Sequence, residues 1–258
     1  MIRFGPAGLG GGKEAIANLM AYSKLGLKAC EVAFTYGIYL NKEQAVEIGA
    51  AARKLGIQLS IHAPYWINLN SREKKKVEES KKRILDCCEI GHFLGADCVV
   101  FHPGFYNRFE KEESFQNIKK QLIEILKIIK DKKWKIEIAP ETTGKLNVFG
   151  SVDEIARLVD ETNCFFCIDF AHILAREKKI DYKYIFSKPK DKKLHLHFSG
   201  IEYGEKGEKN HKLTDMKQAE ELLKNIPKNV TTVINESPNS VGDSVKMLEL
   251  CKSMETCK

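Results

Sequence analysis

Short apolar segments that are typical of β-strands alternate with helix-like stretches along the whole of this 258-residue chain. Each segment has the length and composition of one strand in a buried parallel sheet. The segments are 2–5, 29–34, 58–62, 98–102, 135–139, 164–169, 194–198 and 231–235. This α/β pattern predicts a closed (β/α)8 TIM barrel that forms a single domain over residues 1–258. A doubly wound open sheet is the alternative.

Helix-like stretches with apolar residues at intervals of three and four fill the space between the strands. They are 13–25, 42–55, 71–94, 112–130, 152–161, 215–225 and 240–251. Gly26, Gly56 and Gly95 follow the first three and can take the left-handed cap conformation, while Asn41 can cap the second. The pattern after the sixth strand is the weakest, so we expect 175–193 to be largely loop.

Acidic and imidazole side chains stand at the ends of successive strands. Five of the seven histidines lie in these strands or within three residues of their ends. In chain order the residues are His62, His102, Glu141, Asp169, His172, His195, His197 and Glu236. Because strand ends of a barrel converge on one mouth, these side chains can meet there although they are far apart in sequence. A doubly wound sheet does not explain ligands on six consecutive strands, so the pattern favours the barrel and one shared metal cluster.

The predicted cluster has more ligands than one ion needs, so it indicates two or three metal ions. Mixed histidine and carboxylate ligation suits zinc, manganese or iron. A carboxylate such as Glu141 can bridge two ions, and paired ions stabilise the attacking and leaving oxygens when a phosphodiester is displaced. Phosphodiester hydrolysis is therefore the reaction class that the residues favour.

Charge and cysteine content add weaker constraints. The formal charge of +7 comes mostly from lysine-rich segments, which are either solvated faces or a surface that attracts a polyanion. Cys164 and Cys167 form a C-x-x-C pair without a second pair, so a structural zinc site is not indicated, and both are expected to be buried. No signal peptide and no run of about 18 apolar residues is found. We expect a cytoplasmic monomer that does not bind membranes.

The segments HAPYWINL, FHPG, ETTG, IDFAH, LHLHFSG and NESP resemble those of the endonuclease IV family of abasic-site DNA repair nucleases. The resemblance implies zinc-dependent hydrolysis of the phosphodiester 5′ to an abasic site in double-stranded DNA, leaving a 3′-hydroxyl. A metal-bridging hydroxide would be the nucleophile, and a third zinc would stabilise the leaving oxygen. The implied ligands are His62 and His102 for one zinc, Glu141 as the bridge, Asp169, His195 and Glu236 for a second, and His172 for part of a third.

Three features depart from the family pattern: the third-zinc motif, His197 and the loop after the second strand. The family binds its third zinc with Asp-x-His after the seventh strand, where this chain has GEKGEKNHKL. Direct alignment pairs Glu208 with the Asp and Asn210 with the His, and His211 can serve only if the loop shifts by one residue. His197 is the second departure, and we interpret it as a support behind the ligands, a substrate-phosphate donor or a substitute ligand, in that order.

Aromatic residues follow the second and third strands. The family has a DNA-penetrating arginine after strand two, where this chain offers only Tyr36 and Tyr39. After strand three it has Tyr65 and Trp66. All four are predicted to contact DNA, since an aromatic ring can stack on a base or fill the gap left by a flipped nucleotide. For Trp66 the alternative is packing in the core.

Two other functions remain open at this stage. A single-metal sugar or sugar-phosphate isomerase or epimerase would use Glu141, Asp169, His195 and Glu236, but it has no need of His62, His102 and His172. A non-catalytic DNA-binding or scaffold protein would carry a degenerate site. The near-complete ligand set favours the endonuclease.

Overall fold

Parallel strands form the inner wall of the molecule and helices surround them. The computed structural model describes residues 2–188 and 193–254. Its strands are β1 (Arg3–Pro6), β2 (Ala29–Ala33), β3 (Gln58–His62), β4 (Cys98–Phe101), β5 (Glu137–Pro140), β6 (Phe166–Asp169), β7 (Leu194–Phe198), β8 (Gly200–Gly204), β9 (Gly207–Lys212) and β10 (Val230–Asn235). Its helices are α1 (Ala15–Lys24), α2 (Lys42–Leu55), α3 (Lys74–Leu94), α4 (Lys111–Asp131), α5 (Val152–Thr162), α6 (Phe170–Glu177), α7 (Tyr182–Ser187), α8 (Met216–Asn225) and α9 (Ser240–Ser253).

The strands close into a barrel. They pair in parallel in the orders β1-β10-β7-β6 and β2-β3-β4-β5. An Ala7–Glu31 bridge joins the first group to β2, and a Glu141–Cys167 bridge joins β5 to β6. The predicted TIM barrel is therefore confirmed, whereas a single domain over the full chain stays a prediction.

Local sequence signals set several helix ends. Asn41 caps α2 in a capping box with Gln44, as expected. Gly56 and Gly95 end α2 and α3 with φ of 66° and 67°, in the left-handed region that glycine enters without strain. Asn41 fixes where the chain enters α2, and the two glycines fix where it leaves α2 and α3 towards the next strand.

Two regions differ from the sequence prediction. The stretch 175–193, which we expected to be largely loop, contains the end of α6 and all of α7 within its described residues; 189–192 lie outside them. Asp169 caps α6 directly at the end of β6, so no connecting loop precedes the helix. The antiparallel hairpin β8–β9 is also new, because its polar strands lack the apolar runs that reveal barrel strands.

Alternation along the strands separates two environments. Outward side chains pack with the helices in a large apolar cluster that includes Val32, Ile61 and Leu196. Inward side chains include a small apolar cluster around Val100 and Ala139. Successive strand residues face opposite sides, so the polar residues at strand ends face the inside of the barrel. No described helix combines the length and hydropathy needed to cross a membrane.

Candidate metal centre

A cavity of about 470 Å³ opens at the carboxyl ends of the barrel strands. Residues that follow seven different strands, together with residues of the β8–β9 hairpin, line it. Its polar lining includes His62, His102, His172, Glu208, His211 and Glu236. Beneath them lie Glu141, Asp169 and His197, each fully buried. Apart from His195, the strand-end residues predicted from the sequence thus surround one space.

The first group of ligand atoms joins the ends of β3, β4 and β5. Glu141 Oε2 lies 3.2 Å from His62 Nε2 and 2.9 Å from His102 Nε2. The other ring nitrogen of His62, Nδ1, lies 2.9 Å from the carbonyl oxygen of Ala63. Donation from Nδ1–H to that carbonyl leaves the lone pair of Nε2 facing the cavity.

The second group uses the other oxygen of the same glutamate. Glu141 Oε1 lies 3.0 Å from His197 Nδ1, which is also 3.5 Å from Glu236 Oε2 and 4.0 Å from Asp169 Oδ2. Asp169 Oδ1 accepts a hydrogen bond from His172 N, which leaves Oδ2 directed into the group. Glu141 therefore contributes one oxygen to each of two groups.

The third group depends on a β-bulge. His172 Nε2 lies 3.5 Å from Glu208 Oε2, and its Nδ1 lies 2.9 Å from the Thr142 carbonyl. His211 completes the group and is held by a 2.7 Å contact between its Nδ1 and Ser199 Oγ. These ligand atoms all lie within 4.8 Å of one another.

The register of the hairpin explains how His211 reaches this position. Tyr203 pairs with Glu208 and Ile201 pairs with His211, so Lys209 is an extra residue in β9. Opposed residues share a face and Ile201 and Tyr203 are two apart, so the bulge brings Glu208 and His211 to one side. Without it, residues three apart would face opposite sides. The one-residue shift that His211 required is thus present, and Asn210 lies outside the group.

The structure corrects the predicted position of His195. Asp169 is level with His197 across the β6–β7 pair, whereas His195 is level with Cys167, two residues deeper in the barrel. His195 Nε2 lies 3.1 Å from Glu31 Oε2, away from Asp169 and Glu236. His197, which we ranked first as a support for the ligands, therefore stands where His195 was expected.

Burial disfavours the charged form of the buried titratable groups in the centre, and oppositely charged neighbours counteract this effect on the pKa values. Burial would raise the pKa of Glu141, but neighbouring imidazoles hold that pKa well below its usual value. Burial would lower the pKa values of His62 and His172, but nearby carboxylates raise both to about 9. Burial raises the pKa of Asp169 to about 6. A cation that binds here must displace protons from the imidazoles, so its affinity depends on pH.

Several buried atoms fit cation ligands and lack other partners. His102 Nε2, Asp169 Oδ2 and His197 Nε2 make no hydrogen bond with the described residues. Unpaired buried polar atoms are expensive, and a bound cation would satisfy the first two of these. Cys167 lies near His197, but burial raises the pKa of its thiol well above the usual value. The donors that fit a cation are therefore nitrogen and carboxylate oxygen.

Aromatic side chains surround the mouth. Tyr65 and Phe105 line the cavity. Trp66 is 64% exposed, so its alternative interpretation as a core residue was wrong. Tyr36 is 85% exposed, whereas Tyr39 packs edge-on against Phe34 at 5.1 Å. Of the predicted DNA contacts, Tyr36, Tyr65 and Trp66 are thus accessible to a large ligand, and Tyr39 is partly occupied.

Hydrogen bonds hold the loops after β3 and β4 together. Asn70 is buried, and its side-chain amide donates to the carbonyls of Phe105 and Tyr106 and to Ser114 Oγ. Asn107 Nδ2 donates back to the carbonyl of Asn70 at 2.8 Å. The loops that carry Tyr65 and Phe105 are therefore cross-linked, which favours a preformed mouth.

Sequence reasoning missed three residues of this region. Glu31 lies in the middle of β2, and its signal was a single acid inside a strongly apolar run. Phe105 directly follows the FHPG segment that gave His102. Lys145 is the only lysine or arginine among the described residues that line the cavity, and it follows ETTG.

Residues 19–247 match the family described as xylose isomerase-like TIM barrel. An uncharacterized protein of Methanocaldococcus jannaschii is 35% identical over 224 residues, which cover 82% of this chain and 81% of that protein. The chain therefore belongs to the xylose isomerase-like TIM-barrel family.

Other relatives connect the chain with endonuclease IV. A probable endonuclease 4 of Mesomycoplasma hyopneumoniae strain J is 34% identical over 118 residues, 44% of this chain and 41% of that protein. The alignment thus spans less than half of that relative. Endonuclease IV from Thermus thermophilus superposes with a TM-score of 0.75 at 19% identity, covering 98% of this chain and 100% of that one. Within its family, the chain is endonuclease IV-like.

The fold is shared with sugar epimerases as well. D-psicose 3-epimerase from Clostridium cellulolyticum H10 has a TM-score of 0.67 at 17% identity, with 95% of this chain and 90% of that chain covered. Since this likeness shows the fold alone, the ligand groups have to distinguish between the chemistries.

Proposed function

We propose that this protein is a metal-dependent DNA repair endonuclease that hydrolyses the phosphodiester 5′ to an abasic site and leaves a 3′-hydroxyl. One observation carries the proposal: Glu141 presents one oxygen to His62 and His102 and the other to His197. A carboxylate shared in this way suits two neighbouring cations, and the His172 group provides a place for a third.

The residues would hold two or three divalent ions, with zinc as the first candidate and manganese as the alternative. His62, His102 and Glu141 would hold one, Glu141, Asp169, His197 and Glu236 a second, and His172, Glu208 and His211 a third. Bound there, such ions activate water and stabilise negative charge on the oxygens of a phosphodiester.

The protein's own groups prepare this site. Contacts to the Ala63 carbonyl, the Thr142 carbonyl and Ser199 Oγ fix three imidazole rings. Since the rings are held by their inner nitrogens, their outer nitrogens are oriented before a ligand arrives. Lys145 lies at the mouth and makes no ion pair with the described residues, so its ammonium is available to a substrate phosphate.

Double-stranded DNA with an abasic site is the substrate we propose. An abasic nucleotide has no base to unstack, so it can leave the helix at low cost and enter the cavity. Tyr65 and Phe105 line the entrance, and exposed Trp66 and Tyr36 lie on the neighbouring loops. Tyr39 would support the loop through Phe34. The charge of +7 favours a polyanionic partner.

A single-metal sugar or sugar-phosphate isomerase or epimerase is the second candidate. The group of Glu141, Asp169, His197 and Glu236 would suffice for one ion, and the epimerase fold is similar. This function gives no role to the group at His172 or to the pair His62 and His102. A non-catalytic DNA-binding protein is favoured less, because the ligand groups are complete.

A cleavage assay tests the proposal. We expect incision of a duplex oligonucleotide immediately 5′ to a single abasic-site analogue, loss of incision after chelation, and recovery with Zn²⁺. The matched control is the same duplex with an intact nucleotide at that position. Equal cutting of both duplexes, or no cutting together with epimerisation of a ketose, would contradict the proposal.

A further inference from the structure

Glu31 is a fully buried carboxylate in the middle of β2. It is level with Ser60 of β3 and two residues deeper than the strand end at Ala33, which pairs with His62. A carboxylate this deep in a barrel is costly unless its partners compensate for the lost water. Because an apolar residue would be less costly at this position, we expect the carboxylate to have a specific role.

The partners of Glu31 lie on both sides of its carboxylate. Ser60 Oγ donates to Oε2 at 2.8 Å, and His195 Nε2 lies 3.1 Å from the same oxygen. Oε1 lies 3.1 Å from His197 Nε2. Oε1 and Nε2 have no regular hydrogen-bond partner among the described residues, so this close contact is the main polar interaction of both atoms.

This contact determines which nitrogen of His197 carries the proton and which has the lone pair that faces the cation group. A neutral imidazole has one N–H and one lone pair, and a carboxylate beside Nε2 favours the proton there. The lone pair then lies on Nδ1, which is 3.0 Å from Glu141 Oε1. The inner nitrogens of His62 and His172 lie closest to carbonyl oxygens, at 2.9 Å each, whereas that of His197 lies 3.1 Å from a carboxylate oxygen.

We propose that Glu31 is a positioning residue that holds His197 with its Nδ1 lone pair directed at Glu141, Asp169 and Glu236. This inference rests on the proposed metal-dependent function, because it assigns His197 as a cation ligand. Ser60 and His195 hold Oε2 of Glu31 and thereby direct Oε1 towards His197.

Zinc binding to the intact protein tests this role. Glu31→Gln has nearly the same shape but offers one acceptor oxygen, for which Ser60, His195 and His197 compete. We expect the affinity of one bound Zn²⁺ to fall about 10- to 100-fold in chelator competition, while the other ions bind as before. Ser60→Ala is the matched control, since it removes a partner of Glu31 but keeps the contact with His197, and its effect should be smaller.

A second measurement needs no variant and so does not depend on folding of Glu31→Gln. In the zinc-loaded protein labelled with ¹⁵N-histidine, NMR should show a proton on Nε2 of His197 and none on Nδ1. A proton on Nδ1, or unchanged zinc affinity in folded Glu31→Gln, would overturn the role of Glu31. Absence of zinc binding by the unchanged protein would overturn the metal centre as well, so the two failures are distinguishable.

Discussion

The sequence predicted which acidic and imidazole side chains lie at strand ends, but not how deep in the barrel each one lies. His62, His102, Glu141, Asp169 and Glu236 surround the cavity as expected. His195 and His197 face the same side of one strand, so sequence alternation cannot separate them. Only the pairing of Asp169 with His197 across β6 and β7 does so. Glu31 was missed for a similar reason, because it lies at a depth where only strand pairing brings it to His197.

Among single residues, Glu141 matters most for the proposed hydrolysis. We expect Glu141→Gln to lose cleavage by about a thousandfold or more, because a lost bridge removes several kcal/mol of charge stabilisation. The fold should persist. Glu137→Gln is the matched control, since Glu137 lies on the same strand and is exposed. Single-turnover rates and circular dichroism check both expectations, and wild-type cleavage by Glu141→Gln would rule out the shared carboxylate.

At the level of elements, the β8–β9 hairpin was the largest omission. Its strands are polar and antiparallel, and they cover the mouth instead of continuing the barrel. The helix after β6 had the weakest pattern, and α6 begins directly after β6 with no loop signal between them. Helix α7 lies within 175–193, which we expected to be largely loop. Barrel strands and capped helices were predictable, since apolar runs and Gly or Asn caps are local signals. The bulge in β9 was not, because it depends on contacts with His172, which is distant in sequence.

The bulge at Lys209 gives a sharp test of that hairpin. Exchanging two residues, Asn210→His with His211→Asn, should lose one bound ion, because position 210 faces away from His172. Deleting Lys209 should keep the ion, since Glu208 and the histidine would then lie two residues apart on a regular strand. Metal analysis of the purified variants measures both. Full metal content in the exchanged variant would refute the register described for β9.

The loop that carries Glu236 depends on buried Asp243 of α9. Asp243 Oδ2 accepts hydrogen bonds from Thr214 N and Ser237 Oγ at 2.9 and 2.7 Å. Burial would raise the pKa of Asp243, but these donors and Lys246 lower it. The resulting stability is therefore present above the unfolded pKa of about 3.9 and is lost as pH falls through the folded value.

We accordingly expect Asp243→Asn to reduce the free energy of unfolding at pH 7 by about 1.5–3 kcal/mol. The variant should also lose less stability than the unchanged protein between pH 7 and acid pH. Urea unfolding at both pH values measures this difference. Identical pH dependence of the two proteins would show that Asp243 does not contribute in this way.

At the scale of the whole molecule, charge and shape are expected to bring DNA to the mouth. Lys145 is exposed there, and its backbone carbonyl accepts a hydrogen bond from Arg176 Nη1 at 2.8 Å. We expect Lys145→Gln to raise KM for abasic DNA and to reduce the slope of log affinity against log salt by about 1, with metal content unchanged. Lys127→Gln is the control, because it removes the same charge near the C-terminal end of α4, far from the mouth. Equal effects of both changes would refute a specific contact.

Locating the bound metal ions would test the proposed metal centre directly. Anomalous diffraction at the zinc edge from crystals grown with Zn²⁺ would show how many ions bind and beside which side chains. We expect peaks at His62 with His102, at Asp169 with His197 and Glu236, and at His172 with Glu208 and His211, the first two flanking Glu141. A single peak, or a peak at His195 in place of His197, would contradict the proposed centre.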